Sequence, residues 1–402
     1  MRGRGLAVSV LLLNAGSSSL KGVLIRAEDR TVLARASADW AGPVTRYQCS
    51  GPSIEIGPTE VAWRGHAEAL RRAVGDLEPA RAGLEQASSL TAVGHRIVFG
   101  GEFTSAVRLG PAVRARIAEL AELAPLHNPP GLDTLAAAEA ELPEVPQVAV
   151  FDTAFHATLP PAAYTFPVTG CWTRDWKIRR FGFHGLSHAY CSGRAAAMLG
   201  RPLEELRLVI CHLGSGCSAS AVLGGRCVDT TMGFTPLDGL MMATRSGSVD
   251  PGVLLYVQRC RGLSAREVEE ALHRESGLFG VSGISGDMRI VLAAARAGNE
   301  QAQLAFDVYT HRVRQAIGGL AATLGGIDAL VFTAGVGENS PEVRAASCRG
   351  LECLGLELDA DANAACRADA DVARPGSRGR ILVVRTREEL AMLDDMMRVI
   401  GS

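Results

Sequence analysis

Aromatic side chains are scarce: Phe, Trp and Tyr make up only 5% of the 402 residues, too few to build base-stacking platforms. Charge of one sign is missing as well. Lysine and arginine number 41 against 43 aspartates and glutamates, a formal net charge of -2. That balance excludes a nucleic-acid binder working through bulk charge. Arginine heavily outnumbers lysine within it. No run beyond the first residues approaches the ~18 apolar residues of a membrane span. None of the ten cysteines (Cys49, Cys171, Cys191, Cys211, Cys217, Cys227, Cys260, Cys348, Cys353, Cys366) stands in C-x-x-C spacing, so neither a zinc site nor a disulfide scaffold is expected. Many lie in apolar segments, where a free thiol packs as a small hydrophobe, and free thiols fit a reducing cytoplasm. No G-x-x-x-x-G-K-[ST] occurs, which excludes a P-loop protein. What the chain has in excess is glycine, 45 residues, about 11% against a typical ~7%.

The length suggests two domains, and strands alternating with helices favour an α/β architecture. Met1 to Arg4 is basic and Leu6–Leu13 apolar, the outline of a signal peptide. The polar turn Asn14–Ser19 runs instead into a second strand, Leu20–Ile25, so a buried first strand is expected. Residues 41–58, rich in Pro, Gly and Ser, predict irregular structure. His66–Leu77, Ala112–Leu123, Leu132–Glu141, Gln301–Thr323 and Glu388–Ile400 predict helices. Ala92–Val98, Gln147–Phe151, Leu206–His212, Ala219–Leu223, Ala329–Thr333 and Ile381–Val384 predict strands. Strand, Gly-Ser turn and strand occur twice, with Asn14 and His212 at the strand ends, which reads as a weak internal duplication.

Three glycine-rich turns follow buried strands, at Gly16, Gly214 and Gly335. Glycine there allows backbone N–H groups to approach a phosphate closely. Any one of them alone is more simply a tight hairpin; three together favour phosphates. Gly214–Ala219 nearly fits G-x-G-x-x-G/A, but a strand follows it and Asp229 comes too early for a ribose ligand, which disfavours a dehydrogenase. Arg96 and Arg245 lie in apolar, glycine-bracketed contexts. Buried arginine needs an anionic partner, either an internal carboxylate or the carboxylate or phosphoryl oxygens of a ligand. Asp152 ends a strand, where an α/β fold places a functional acid or where an aspartate caps the start of a helix. His127, His156, His184 and His188 sit on or near turns.

The segments LLLNAGSSSLK, GHRIVFGG, APLHNPP, FDTAFH, RRFGFHGLSH, HLGSGCS, DTTMGFTPLDGLMMATRSG, SGISGDMR, FTAGVGENS and TREEL, running in order from residue 11 to 390, together resemble the acetate kinase family of the acetate and sugar kinase/Hsc70/actin superfamily. The resemblance implies two RNase H-like (actin-like ATPase) domains with a cleft between them: residues 1–150 with a returning segment 387–402, and residues 151–386. It also implies a cytoplasmic homodimer acting on acetate and ATP, with Mg²⁺ (or Mn²⁺) and no nucleic-acid or membrane partner.

By the same resemblance Arg96 binds the acetate carboxylate, Arg245 clamps the phosphoryl oxygens, His184 donates a hydrogen bond to the transition state and His127 assists. Asp152 matches the family's essential acid and is expected to orient an arginine or water. Asn14 and Glu388 match the metal positions. Ser17, Ser19 and Lys21 meet the phosphates. His212, Leu213, Gly214, Ser215 and Gly216, then Asp287, Met288 and Arg289, then Gly335, Val336, Gly337, Glu338 and Asn339 hold ADP. Val98, Leu126, Phe183 and Pro236 form the pocket for the acetate methyl. Four positions depart from the family's usual residues: Ser215 for Asn, Phe99 for His, Ser248 for Asp and Arg387 for Asn. A propionate or butyrate kinase, and a non-catalytic nucleotide-binding protein on the same scaffold, are the alternatives.

Overall fold

The computed structural model describes residues 8–82, 90–121, 128–367 and 369–401. The chain divides into two units, residues 1–154 with 387–402, and residues 155–386.

The first unit is built on an eight-stranded sheet. Its strands are β1 (Ser9–Gly16), β2 (Ser19–Arg26), β3 (Thr31–Asp39), β4 (Thr45–Gly51), β5 (Ile54–Val61), β6 (Leu90–Ile97), β7 (Val107–Arg108) and β8 (Gln147–Phe151), in the order β5-β4-β3-β2-β1-β6-β8-β7. β1 to β5 form an antiparallel meander, while β6 and β8 run parallel to β1. Residues 45–51 and 54–61 are therefore strands, not the irregular structure their Pro, Gly and Ser content predicts. Alternating burial of Thr45, Tyr47 and Cys49 in β4 against an exposed opposite face carries the period of two. Edge strand β5 tolerates Gly57 and Pro58 because one side of it has no ladder to complete.

Successive side chains of β1 serve opposite faces. Leu11 and Leu13 join the core that Leu70, Ala73 and Leu77 of the helix His66–Ala82 complete. Leu12 faces the other way, toward the final helix Glu388–Ile400, which packs on β6 and β8. Gly94 of β6 permits that packing: a Cβ there would stand 2.1 Å from Met396 Sδ and 3.0 Å from Leu12 Cδ2. The helix Pro111–Leu120 starts one residue before the predicted span; the expected residues 122–123 lie outside the described residues.

The second unit repeats the arrangement. Its strands β9 (Arg207–Leu213), β10 (Cys217–Leu223), β11 (Arg226–Thr230), β12 (Ala329–Thr333), β13 (Ala370–Asp371) and β14 (Arg380–Val383) follow the order β11-β10-β9-β12-β14-β13. β9 to β11 are antiparallel, and β12 and β14 run parallel to β9 and to each other. Strands β3-β2-β1-β6-β8 and β11-β10-β9-β12-β14 thus share one topology. Leu208 and Ile210 pack on Cys191, Ala195 and Ala196 of the helix Gly185–Leu199. The long helix Glu300–Thr323, capped by Asn299, buries Ala302, Ala305, Phe306, Tyr309, Val313, Ile317 and Leu320 at helical spacing. Among the described residues no helix is long and apolar enough to cross a membrane.

Candidate active site

In the first unit four predicted residues converge. Arg96, near the end of β6, donates from Nη2 to Asp152 Oδ2 at 2.7 Å. Its Nη1 lies 3.3 Å from Asn14 Oδ1 and 3.6 Å from Glu388 Oε2. Three strand or helix ends supply this cluster: Asn14 near the end of β1, Asp152 after β8 and Glu388 opening the last helix. Asp152 is 1% exposed. Burial works against the Arg96 charge, but Asp152 and then Glu388 outweigh it and keep the guanidinium more basic than usual. The internal ion pair left open by the sequence is thus present at Nη2, while Nη1 makes only longer contacts.

The turn between β1 and β2 carries Ser17 and Ser18, with Ser19 and an exposed Lys21 on β2. His66 pins it, with Nε2 2.9 Å from the Gly16 carbonyl and the ring edge-on to Trp40. Val98 is half-buried after β6. Phe99 is buried, and Asn128 fixes its backbone from both sides, accepting from the Phe99 N–H and donating to its carbonyl at 3.0 Å each. Leu126 and His127 lie outside the described residues.

In the second unit the turn Gly214–Gly216 joins β9 to β10. A strand, not a helix, follows it, against a dinucleotide fold. His184 caps the helix Gly185–Leu199 in the left-handed region, φ 57°, one of four non-glycine residues so placed among the described residues. Its Nδ1 lies 2.9 Å from Ser218 Oγ, and its ring stacks on His212 at 4.1 Å. His212 Nδ1 meets Ser187 Oγ at 2.8 Å, and that hydroxyl meets Thr386 Oγ1 at 2.9 Å. Arg245 donates to the Pro236 carbonyl at 2.7 Å. No carboxylate pairs with it among the described residues, and burial makes it less basic than usual. A Cβ on Gly216 would stand 2.9 Å from Arg245 Nη2 and 3.2 Å from His184 Nε2. Glycine at this position is what lets the turn's backbone lie against both side chains.

The remaining predicted residues of this unit are spread over its helix starts and loops. Asp287 caps the helix Met288–Arg296 and pairs with exposed Arg289, while Met288 is buried. Ala334–Asn339 is a short helix, not the turn its glycines suggest. It starts at Ala334 with φ 65°, and its own carboxylate closes it: Glu338 Oε1 accepts from Ala334 N at 2.9 Å and from Thr386 N at 3.0 Å. Phe183 and Pro236 are both buried. His156 is also buried, held between Cys227 Sγ and the Phe183 carbonyl. Of the departures, Ser215 is exposed on its turn, Arg387 is exposed before the last helix, and Ser248 donates to Asp238 Oδ1 at 2.6 Å.

Sequence reasoning missed Arg344. It is 1% exposed with no carboxylate partner among the described residues. It donates to the carbonyls of Gly337, Glu338 and Asn363 and to Asn363 Oδ1, at 2.7 to 2.9 Å. It therefore secures the end of the Ala334–Asn339 helix. Asn128, Ser187, Ser218 and Thr386 were likewise unassigned. Their only signal in the sequence is that they lie within the matching motifs.

A repeated sheet topology, with glycine turns and charged side chains at its strand ends, defines a protein of the actin-like ATPase fold. The chain belongs to the acetokinase family, whose model matches residues 9–394. An acetate kinase of Trichormus variabilis is 46% identical over 401 residues, covering 96% of this chain and 98% of its own. The crystal structure of the Porphyromonas gingivalis acetate kinase superposes with a TM-score of 0.90 at 38% identity, covering 98% and 100%. A propionate kinase from Francisella tularensis matches with the same TM-score and coverage at 34% identity. The chain is accordingly a kinase with a carboxyl group as acceptor.

Proposed function

We propose that this chain catalyses the reversible, Mg²⁺-dependent transfer of a phosphoryl group from ATP to acetate, giving acetyl phosphate and ADP. The observation that carries this is Arg245, a largely buried guanidinium held by one backbone carbonyl and lying beside His184 across Gly216. A desolvated cation without an internal counter-charge favours an oxyanion, and a transferring phosphoryl group is one. The acceptor carboxylate is already ionised at neutral pH, its pKa being roughly 4, so no strong base is required. Asp152, bonded to Arg96, orients that arginine toward the acetate carboxylate.

In this reading Val98, Leu126, Phe183 and Pro236 take the methyl group, and His184, aided by His127, donates to the phosphoryl oxygens. Ser17, Ser19 and Lys21 meet phosphates. His212–Gly216, Asp287–Arg289 and Gly335–Asn339 hold ADP. Asn14 and Glu388 offer the hard oxygen donors that Mg²⁺ prefers. No group of three or more His, Cys, Asp or Glu among the described residues could cage an ion, which fits a cation carried largely by nucleotide phosphates. Bound there, Mg²⁺ (or Mn²⁺) neutralises phosphate charge. The unit of residues 1–154 with 387–402 is assigned as the N-terminal RNase H-like domain and residues 155–386 as the nucleotide-binding domain.

The helix Pro251–Arg261 buries no residue, and Val253, Leu255 and Tyr256 on it are half exposed or more. We assign it to a homodimer interface; Leu255→Glu is expected to sediment as a monomer. The free cysteines support a cytoplasmic setting.

The deciding experiment is ATP- and Mg²⁺-dependent acyl-hydroxamate formation with acetate, propionate and butyrate in parallel. Acetate is expected to give the highest kcat/KM. Absence of product from all three, with ATP bound, would refute the proposal.

A further inference from the structure

We infer that Ser218 and His188 are positioning residues that fix the tautomer of His184, placing its ring proton on Nε2, the nitrogen that faces Gly216 and Arg245. The tautomer assignment stands on the hydrogen-bond geometry and burial around His188; its kinetic consequence rests on the function proposed above.

Ser218 is fully buried on β10. Its Oγ lies 2.9 Å from His184 Nδ1 and 2.8 Å from His188 Nε2. A hydroxyl has one proton and two lone pairs. Ser218 Oγ has no third partner among the described residues, so accepting from both rings would leave its own buried proton unmet; it therefore donates to one nitrogen and accepts from the other. Two arrangements exist. In one, His188 donates from Nε2 to Ser218, and Ser218 donates to His184 Nδ1. The His184 proton is then on Nε2. In the other, the direction reverses: His184 donates from Nδ1, Ser218 donates to His188 Nε2, and neutral His188 carries its proton on Nδ1.

The environment of His188 decides between them. Its Nδ1 is buried and has no hydrogen-bond partner among the described residues. The second arrangement would orphan an N–H in the core, whereas the first leaves only a lone pair there. Buried donors without acceptors are the rarer and costlier defect. A doubly protonated His188 offers no escape: burial, reinforced by His156 and His212, holds it well below the ordinary histidine range. The preference therefore passes through Ser218 to His184. The stacked His212 ring, tied through Ser187 to Thr386, keeps the His184 plane in place. The result is a neutral imidazole with its N–H beside Arg245, a donor to phosphoryl oxygens that needs no protonation event.

The full chain labelled with ¹⁵N-histidine tests this through two-bond ¹H–¹⁵N correlations, with His184 assigned from a His184→Gln variant. Both His184 and His188 are expected in the Nε2–H form. Ser218→Ala should turn His184 into a tautomer mixture and lower kcat about ten- to a hundredfold, with KM for acetate and ATP unchanged. His188→Gln, whose amide can donate in place of Nε2, should keep more of kcat and of the Nε2–H signature than His188→Leu. A wild-type spectrum with the proton on His184 Nδ1 would overturn the inference, and this needs no variant to fold apart from the assignment. So would a Ser218→Ala protein unchanged in both spectrum and kcat. A chain showing the Nε2–H form that phosphorylates no carboxylate would leave the tautomer standing and remove the proposed function.

Discussion

Arg96 answers two demands at once. Its Nη2 is committed to Asp152, and its Nη1 faces Asn14 and Glu388 at longer range. If that side of the guanidinium receives the acceptor, Arg96→Ala should abolish acyl phosphate formation and leave ADP affinity, measured by calorimetry, nearly unchanged. Parallel loss of both would mark it as purely structural. Val98 makes a finer prediction. One methylene in an apolar pocket is worth about 1–3 kcal/mol, so Val98→Ala should raise kcat/KM for propionate relative to acetate. An unchanged ratio would remove Val98 from the pocket. His95, its neighbour, concerns stability. Burial lowers its pKa from 6.5 to about 4, only partly offset by the bond to Gln147. Between those values the unfolded chain binds the extra proton, so stability falls as pH falls from 6.5 toward 4. The loss is on the order of 3 kcal/mol at 1.36 kcal/mol per pKa unit. Urea unfolding at pH 7.5 and 5 should show it, and His95→Asn should flatten it; equal slopes would count against the assignment. At this scale the motif residues were legible because charge in an apolar run is conspicuous. The role of Ser218 and His188, which also lie in the motifs, was not, since what matters about them is which nitrogen meets which oxygen.

Elements place the site through their ends. Asn14, Arg96 and Asp152 come from the ends of β1, β6 and β8, and the turn Gly214–Gly216 follows β9, the equivalent of β1 in the second sheet. The Ala334–Asn339 helix follows β12, the equivalent of β6. Six residues make too short a helix to hold itself, and Arg344 supplies what is missing. Arg344→Met would leave the Gly337, Glu338 and Asn363 acceptors unmet, at about 1–3 kcal/mol for each one that stays buried without a donor. The expected outcome is a lower urea midpoint and weaker ADP binding, with no change in preference among carboxylic acids. Retained ADP affinity would separate this helix from the nucleotide. The central strands and the long helix Glu300–Thr323 were readable from hydrophobic period, whereas β3 and the helix Gly185–Leu199 went unread. The Ala334–Asn339 helix was not readable either, because Gly335, Gly337 and Asn339 within it read as turn formers and its stabilising contacts come from Arg344 and Thr386, far along the chain.

Over the whole molecule, the ten cysteines are all free: six are buried, two partly so, and Cys260 and Cys353 exposed. Burial pushes the Cys217 thiol up to about 11 and the Cys348 thiol up to about 12, so neither is a nucleophile at neutral pH. A thiol reagent should titrate Cys353 quickly in the native protein, Cys260 more slowly because its helix is the one assigned to the dimer interface, and ten groups after unfolding. A larger fast phase would contradict the burial pattern. The α/β class and the duplicated strand–turn–strand units were visible in the sequence because each repeats a local pattern. The meander's outer strands were hidden by the composition of residues 41–58, and that composition has its own consequence. β5 ends the first sheet with one backbone edge open, and an open edge can recruit a strand from any passing chain. Pro58 removes a donor from that strand, Glu55 and Glu60 bring like charges to any second copy, and the register slips beside Tyr47 and Cys49. Pro58, one of the residues that disguised this strand as a loop, thus joins the two glutamates in guarding the protein against templated aggregation at high concentration.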